Sequence, residues 1–246
     1  TESTEVTGSK TIFQVQTNSE THIWEPFSIR SASKYHTTRN LYKNIYGNKV
    51  LFEEVNHDLE LTFRYQWNSS DKFGFVKKSQ LINHSNQTQN ISLLDGLQNI
   101  LPYGVSADLQ NASSNLVDAY KRTELDDKSG LGIFALSAII VDKAEPSEAL
   151  KCNVVWSLGI DKPTYLLSSL QLNQFRRCEK LTQENDVKAE KGAYFINSET
   201  SLPAHSDKNW CFVTNVNQDH AAVAKLIDQI KSDKNLKNEI LNDIEL

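Results

Sequence analysis

The sequence predicts a mainly β protein, built as a large two-sheet antiparallel sandwich with C-terminal helices. About a dozen strand-like segments precede any convincing helix. One of them, residues 58–67, alternates strictly between apolar and polar side chains, as a strand that buries one face does. Helical periodicity dominates only after Gln218. Because helices do not alternate with strands, the pattern argues against a parallel sheet of βαβ units.

The N-terminal half is predicted to form an antiparallel meander. In its strongest strand, residues 58–67, the side chains from Leu59 to Trp67 at every second position share one face. The segment 49–56 precedes it, and the short connection His57-Asp58 predicts a hairpin. The other strands predicted in this half are residues 11–16, 22–29, 73–76 and 90–94.

The C-terminal half continues the strands and ends in helix. A short helical segment is predicted at residues 170–178, and the strands at residues 116–122, 132–141, 150–158, 164–168, 187–197 and 210–215. After Gln218 an apolar stripe from Leu226 to Ile244 needs a partner surface, either on the same sandwich or on a domain outside this chain. We therefore divide the chain into a sandwich, residues 1–217, and a helical linker to a missing domain, residues 218–246. The absence of Met throughout, position 1 included, favours an excised piece of a longer protein.

Composition and missing motifs argue against several classes of protein. The 26 Lys and Arg against 31 Asp and Glu give a net charge of −5, whereas a nucleic-acid-binding protein usually needs a basic surface. No run of 18 apolar residues occurs, so no membrane association is predicted. Phosphate-binding, dinucleotide-binding and nucleophile-elbow motifs are absent, so no cofactor is predicted. The six histidines lack the spacing of metal ligands, so no metal site is expected.

The cysteines bear on the cellular compartment. Cys152, Cys178 and Cys211 are widely spaced and form no CxxC pair. An odd, scattered set favours a reducing compartment, and therefore the cytoplasm. Five Asn-x-Ser/Thr sequons would suit a secreted protein, but a chain this rich in Asn and Ser produces such matches by composition.

No catalytic residue is predicted. Glycosidases need two carboxylates across the sugar, but Glu53 and Glu54 are neighbours on a strand and point to opposite faces. Glu145 and Glu148 bracket Pro146 and could face one cleft. The start of a helix, with acids near its positive end, explains that second pair better.

Among the four tryptophans, Trp24 is the candidate for binding. It lies in the polar run Thr21-His-Ile-Trp-Glu25 and is predicted to be exposed, where its ring could stack on a sugar. Trp67 and Trp156 continue apolar strand patterns and are predicted to pack in the core.

The most unusual segment is residues 93–104. A strand is predicted to run into a turn in which Asp95, Gln98 and Asn99 are embedded among apolar side chains. Such polar groups need hydrogen-bond partners, so one interpretation is a rigid, satisfied corner between sheets. The other is a loop that presents Gln98, Asn99 and Tyr103 to a neighbouring domain or a glycan. With Trp24, these three are the predicted carbohydrate-binding or domain-interface residues.

That segment belongs to a wider resemblance. Together with Phe63-Arg-Tyr-Gln-Trp67, Phe73-Gly-Phe-Val76 and Ser157-Leu-Gly159, it resembles the N-terminal region of large bacterial proteins related to cellobiose phosphorylase. These belong with the six-hairpin glycosidases and the glycosyltransferase-36-type phosphorylases. The resemblance covers roughly residues 40–215. It implies a galactose mutarotase-like β-supersandwich, followed by a helical linker and an (α/α)6 barrel that holds the catalytic and phosphate-binding residues.

The resemblance implies a non-catalytic domain, because no residue of this chain matches those of the barrel. Such a domain would shape one wall of the sugar site, form a homodimer with a second copy, or bind an oligosaccharide. Two alternatives stay open. A free-standing carbohydrate-binding module would need an exposed aromatic platform. An enzyme resembling the aldose epimerases would need a histidine and a carboxylate on one concave face, and His57 with Glu54 is the only pair close in sequence.

Overall fold

A computed structural model describes residues 5–17, 20–31, 33–138 and 149–245. Two antiparallel sheets pack face to face and helices end the chain, which confirms the predicted mainly β sandwich. Within the described residues the smaller sheet has five strands. In spatial order they are β11 (Thr164–Leu166), β13 (Gly192–Leu202), β7 (Gln89–Ile100), β1 (Gly8–Gln16) and β2 (Thr21–Trp24).

The larger sheet has nine strands in the same described part of the chain. Its spatial order is β12 (Asp186–Lys188), β8 (Lys121–Asp126), β9 (Leu131–Leu136), β10 (Lys151–Leu158), β14 (Asp207–Asp219), β6 (Gly74–Asn83), β5 (Leu61–Ser70), β4 (Lys49–Asn56) and β3 (Thr37–Lys43). The four strands from β3 to β6 form the predicted meander, and the β4–β5 hairpin has the predicted position.

Among the described residues, three α-helices are short and two are longer. They are α1 (Ala107–Ala112), α2 (Ser114–Tyr120), α3 (Leu172–Arg176), α4 (His220–Ser232) and α5 (Leu236–Glu245). A side chain caps α1, where the Ser106 hydroxyl accepts from the Leu109 N–H, and another caps α4, where Asp219 accepts from the Ala222 N–H.

The main core lies between the sheets. Alternate residues of each strand point inward, so the smaller sheet contributes Phe13, Leu93 and Tyr194, and the larger sheet contributes Phe63 and Phe212. Each of these five side chains is fully buried. This packing determines which face of each strand points inward, because a shift of one residue in the strand pairing would turn the buried side chains toward solvent.

The C-terminal helices cover the outer face of the larger sheet. Leu236, Ile240 and Ile244 of α5 are buried there in one cluster with Trp156 and Val213. The apolar stripe of the terminal helices therefore packs on the sandwich of the same chain. The predicted burial of Trp156 is confirmed, although the residue lies beneath these helices rather than between the sheets.

Several predicted element boundaries are wrong. Residues 116–122 were predicted as a strand, but residues 114–120 form α2, in which helical spacing turns Val117 inward beside Leu136 of β9. The predicted strand 22–29 ends at Trp24, because a turn follows in which Phe27 has a φ of 63°. The predicted strand 132–141 ends at Leu136, and Glu145 and Glu148 lie outside the described residues.

Candidate functional site

Trp24 is not the exposed ring that the sequence predicts. It is fully buried, with its ring centroid 5.3 Å from that of Phe13, its cross-strand partner. The indole Nε1 donates a hydrogen bond of 2.8 Å to Oε1 of Glu54. The prediction failed because the polar neighbours of Trp24 hid a residue on the inward face of β2. A role in sugar stacking would require this ring to leave the core.

Gln98 and Asn99 lie in a β-bulge at the end of β7. The pairing with β13 shifts there, so that two residues of β7 oppose one residue of β13. Asn99 has a φ of 53°, a conformation that asparagine tolerates better than most residues. Gln98 is buried, and its Nε2 donates to the carbonyl oxygen of Glu5. Among the described residues the buried Oδ1 of Asn99 has no partner.

Tyr103 follows β7 and is 41% exposed. The Lys151 ammonium lies 5.3 Å from the centroid of its ring. Gln98, Asn99 and Tyr103 thus lie close together in sequence at one end of β7. Trp24 lies elsewhere, because its partner on β1, Phe13, is five residues beyond the β1 residue that pairs with Gln98. The structure does not group Trp24 with the other three, and their binding or interface role stays a prediction.

Asp95 lies within β7 rather than in the predicted turn, and it is fully buried between the sheets. Its Oδ1 accepts from Lys77 Nζ and from the Thr11 hydroxyl, each at 2.7 Å. Its Oδ2 accepts from Trp210 Nε1 at 2.7 Å and from the Ser79 hydroxyl at 3.0 Å. The interpretation of a rigid segment with satisfied polar groups therefore holds for Asp95.

The other buried carboxylates of the described chain are paired as well. Glu25 accepts from Lys10 at 2.7 Å and from Arg176 at 2.8 and 3.0 Å. Burial opposes ionisation of Glu25, but the hydrogen bonds from Arg176 and Lys10 outweigh it and lower its pKa.

Glu53 and Glu54 point to opposite faces of β4 and have separate partners. Burial also opposes ionisation of Glu53, yet hydrogen bonds from Asn40 and Arg64 lower its pKa. Glu54 accepts from Trp24, from the Phe27 N–H and from Arg39, the last two at 2.7 Å.

His57 does not share a site with Glu54. Its ring lies 4.6 Å from that of His36, and its Nε2 is 2.8 Å from the Thr38 hydroxyl. Glu54 is fully buried on the inward face. The convergence that an aldose epimerase-like site needs is therefore absent from this pair.

A polar cleft of about 570 Å³ opens at one end of the sandwich, where two turns meet the end of β1. These turns are the β4–β5 and β6–β7 connections. Its lining includes one tyrosine, one histidine, two carboxylates and several amides, among them Tyr35, His22, Asp58, Glu60, Gln87 and Asn90. The Tyr35 hydroxyl donates 2.9 Å to the Ile23 carbonyl oxygen, which fixes the position of the ring.

A second cavity of about 360 Å³ lies on the outer face of the smaller sheet. It is lined by polar side chains of β1, β7 and β13, including Gln14, Ser92, Glu199 and Ser201. Gln16 and Asn90 line both this cavity and the cleft, so the two are contiguous. This region was not predicted from the sequence, although the run of amide and hydroxyl residues from Asn83 to Asn90 indicates it.

The described ranges also bear on metal binding, membrane insertion and cysteine reactivity. No group of three or more His, Cys, Asp or Glu residues there could hold a metal ion. No helix in that part of the chain is both long enough and apolar enough to cross a membrane. All three cysteines are free, with Cys152 and Cys211 buried. Burial raises the pKa of each of these two thiols to about 11, which keeps them protonated and unreactive at neutral pH.

No protein-family model matches the chain, and no curated sequence matches it significantly. Solved structures do resemble it. A bacterial glucoamylase complexed with acarbose matches 96% of this chain, with 7% identity and a TM-score of 0.49. A polysaccharide lyase matches 91% with 13% identity and a TM-score of 0.46. A protein assigned as a kojibiose phosphorylase, from the human microbiome, matches 90% with 13% identity and a TM-score of 0.40. The chain spans 30%, 28% and 25% of the lengths of these three chains, respectively.

Proposed function

We propose that this chain is a non-catalytic β-sandwich domain of a carbohydrate-active enzyme, a glycoside phosphorylase or hydrolase, and that it supports a helical catalytic domain outside this chain. The order of a two-sheet sandwich followed by helices agrees with what the family resemblance implies. One observation carries the non-catalytic assignment. Each buried carboxylate of the described chain is paired with a cation, and none lines the polar cleft or the cavity beside it.

The chemistry of glycoside cleavage explains why that observation matters. A general acid must hold its proton near neutral pH, which requires a raised carboxyl pKa. In this chain the pKa values of Glu25 and Glu53 are lowered instead, because hydrogen bonds from cationic and amide groups favour the ionised form. These carboxylates hold the strands together rather than transfer protons.

An assay of the purified chain tests this proposal. Cellobiose, maltose and kojibiose are incubated with the chain, with and without inorganic phosphate, and NMR follows hydrolysis, phosphorolysis and anomer interconversion. We expect rates equal to those of a heat-unfolded sample of the same chain. Turnover by the folded chain alone would overturn the non-catalytic assignment.

The polar cleft favours a second candidate function, that of a free-standing carbohydrate-binding module. The mass of the native polypeptide separates the two. A native protein of 27.9 kDa, the mass of this chain, would support a free-standing module. A much larger polypeptide that contains this chain would support a domain of an enzyme.

A further inference from the structure

We propose that the cleft and the adjoining cavity form one groove that binds a neutral oligosaccharide. This inference rests on the proposed function, since it names the ligand class that such a domain would recognise. The two spaces, of about 570 and 360 Å³, are joined by Gln16 and Asn90. Each falls within the size range of ligand sites in proteins. Together they run from the end of the sandwich onto the outer face of the smaller sheet, which suits a chain better than a single sugar.

The polar lining of the groove matches sugar hydroxyls. An amide both donates and accepts hydrogen bonds, as a hydroxyl does, so the two pair without a charge. The Gln87, Asn90 and Ser201 side chains have no hydrogen-bond partner among the residues that the structure describes. Gln14 is anchored, because its Nε2 donates 2.6 Å to the Phe175 carbonyl oxygen. The groove thus combines a fixed wall with side chains able to bind a ligand.

Aromatic side chains in the cleft could make the apolar contacts that sugar binding needs. A pyranose has a C–H face that packs on an aromatic ring, while its hydroxyls point outward. Tyr35 lines the cleft with its hydroxyl bound to the Ile23 carbonyl oxygen, so a ligand would meet a ring that is already ordered. His22 lines the same cleft. An ordered ring lowers the entropic cost of binding.

The charges of the lining residues indicate whether the groove suits a neutral or an anionic sugar. Asp58 and Glu60 line the cleft, and Glu199 lines the adjoining cavity. Neither lining contains a lysine or an arginine among the described residues. The Lys34 ammonium lies 5.2 Å from the centroid of the Tyr35 ring and is the cation nearest to that ring among the described residues. Uronic acids and sulfated sugars would therefore meet three carboxylates against one ammonium, which disfavours their binding. The groove therefore suits a neutral oligosaccharide.

Calorimetric titration of the whole chain tests the proposal. Cello-, malto- and laminari-oligosaccharides of increasing length are compared with heparin and hyaluronan fragments. We expect at least one neutral series to bind, with an affinity that rises beyond the disaccharide. Gln87→Ala and Asn90→Ala should each weaken that binding about 3- to 10-fold, as expected for the loss of one or two hydrogen bonds. Asn111→Ala, on the exposed side of α1, is the matched control and should leave affinity unchanged.

Three outcomes would overturn the groove proposal: no binding by any neutral series, binding of the anionic fragments alone, or neutral binding that both groove variants leave intact. Circular dichroism of each variant verifies the fold. The enzymatic assay tests the proposed function separately. Absence of both turnover and binding would refute the groove and leave the non-catalytic assignment standing, whereas turnover would refute the assignment whatever the groove binds.

Discussion

Among the residues that the structure describes, Asp95 and Lys77 form the most deeply buried ion pair, and neither side chain has exposed surface. Removing two charges from water is costly, and here four hydrogen bonds to the carboxylate offset much of that cost. The Lys77 ammonium also lies 5.2 Å from the ring centroid of Tyr65 and 5.1 Å from that of Phe212. Burial, together with the negative charge of Asp95, raises the pKa of Tyr65 to about 12. The pair joins the two sheets through β7 and β6.

Replacing Asp95 by asparagine tests this pair. The variant leaves the Lys77 charge buried without its counterion, so we expect the free energy of unfolding to fall by about 3–5 kcal/mol. Urea denaturation measures it, and Asp127→Asn, at an exposed turn, should change stability by less than about 0.5 kcal/mol. Equal stability of the two variants would show that Asp95 contributes no net electrostatic stabilisation.

Acid should destabilise the protein by protonating Glu5. The Glu5 carboxylate, like that of Glu25, forms an ion pair with Lys10. Burial opposes ionisation of Glu5, but hydrogen bonds from Lys10 and Ser28 lower its pKa from 4.5 to about 2. A carboxyl whose pKa is lower in the folded state stabilises the protein above pH 4.5, and that contribution is lost as pH falls toward 2. Glu5→Gln should therefore reduce the dependence of Tm on pH between 4.5 and 2, whereas exposed Glu190→Gln should preserve it. Identical pH profiles for Glu5→Gln and the unchanged protein would refute this linkage.

At the scale of elements, local patterns predict some strands well and others poorly. The β4–β5 hairpin was predictable because alternation and a short connection are local signals. β3 was missed, since it is an edge strand with mostly exposed side chains and no apolar alternation. Residues 116–122 were wrongly predicted to form a strand. The packing of Val117 against Leu136 favours a helix there, and this contact joins residues that are distant in sequence. The distribution of strands between two sheets depends on pairings distant in sequence.

Gly96 marks a close approach between β7 and β13. A Cβ at this position would lie 2.0 Å from the Tyr194 carbonyl oxygen. We expect Gly96→Ala to cost about 3 kcal/mol or more, because two backbone segments would have to separate. Gly104 has open space around it but a φ of +84°, so Gly104→Ala should cost only about 1 kcal/mol. Chemical denaturation compares them, and an equal or smaller cost at Gly96 would contradict the close approach.

The packing of α5 on the larger sheet has its own test. Ile240 of α5 is fully buried against the larger sheet, so Ile240→Ala should lower stability by about 2–5 kcal/mol. Ile45 is 91% exposed, and Ile45→Ala should change stability by less than about 0.5 kcal/mol. If Ile240→Ala were equally silent in thermal denaturation, the helices would not pack on this sandwich in solution.

At the scale of the whole molecule, the groove illustrates what a sequence does not reveal. Its lining comes from two turns, from β1, β2, β7 and β13, and from Tyr35. Folding brings these together although Gln14 and Ser201 lie 187 positions apart in the sequence. The predicted residues Gln98, Asn99 and Tyr103 were grouped because they are close in sequence, and the prediction of an exposed Trp24 was wrong because its neighbours are polar. Local composition indicates which side chains could bind a sugar, but only the pairing of strands decides which of them share a cavity.

The proposed non-catalytic function requires that Glu25 and Glu53 are ionised partners of cations rather than proton donors in catalysis. A carbon-13 NMR titration of the glutamate side chains tests it most directly, with Glu25→Gln and Glu53→Gln to assign the signals. We expect Glu25 and Glu53 both to titrate below 4.5, the ordinary pKa of a glutamate. Titration of either carboxyl above about pH 6, the range of a general acid in a glycosidase, would contradict it.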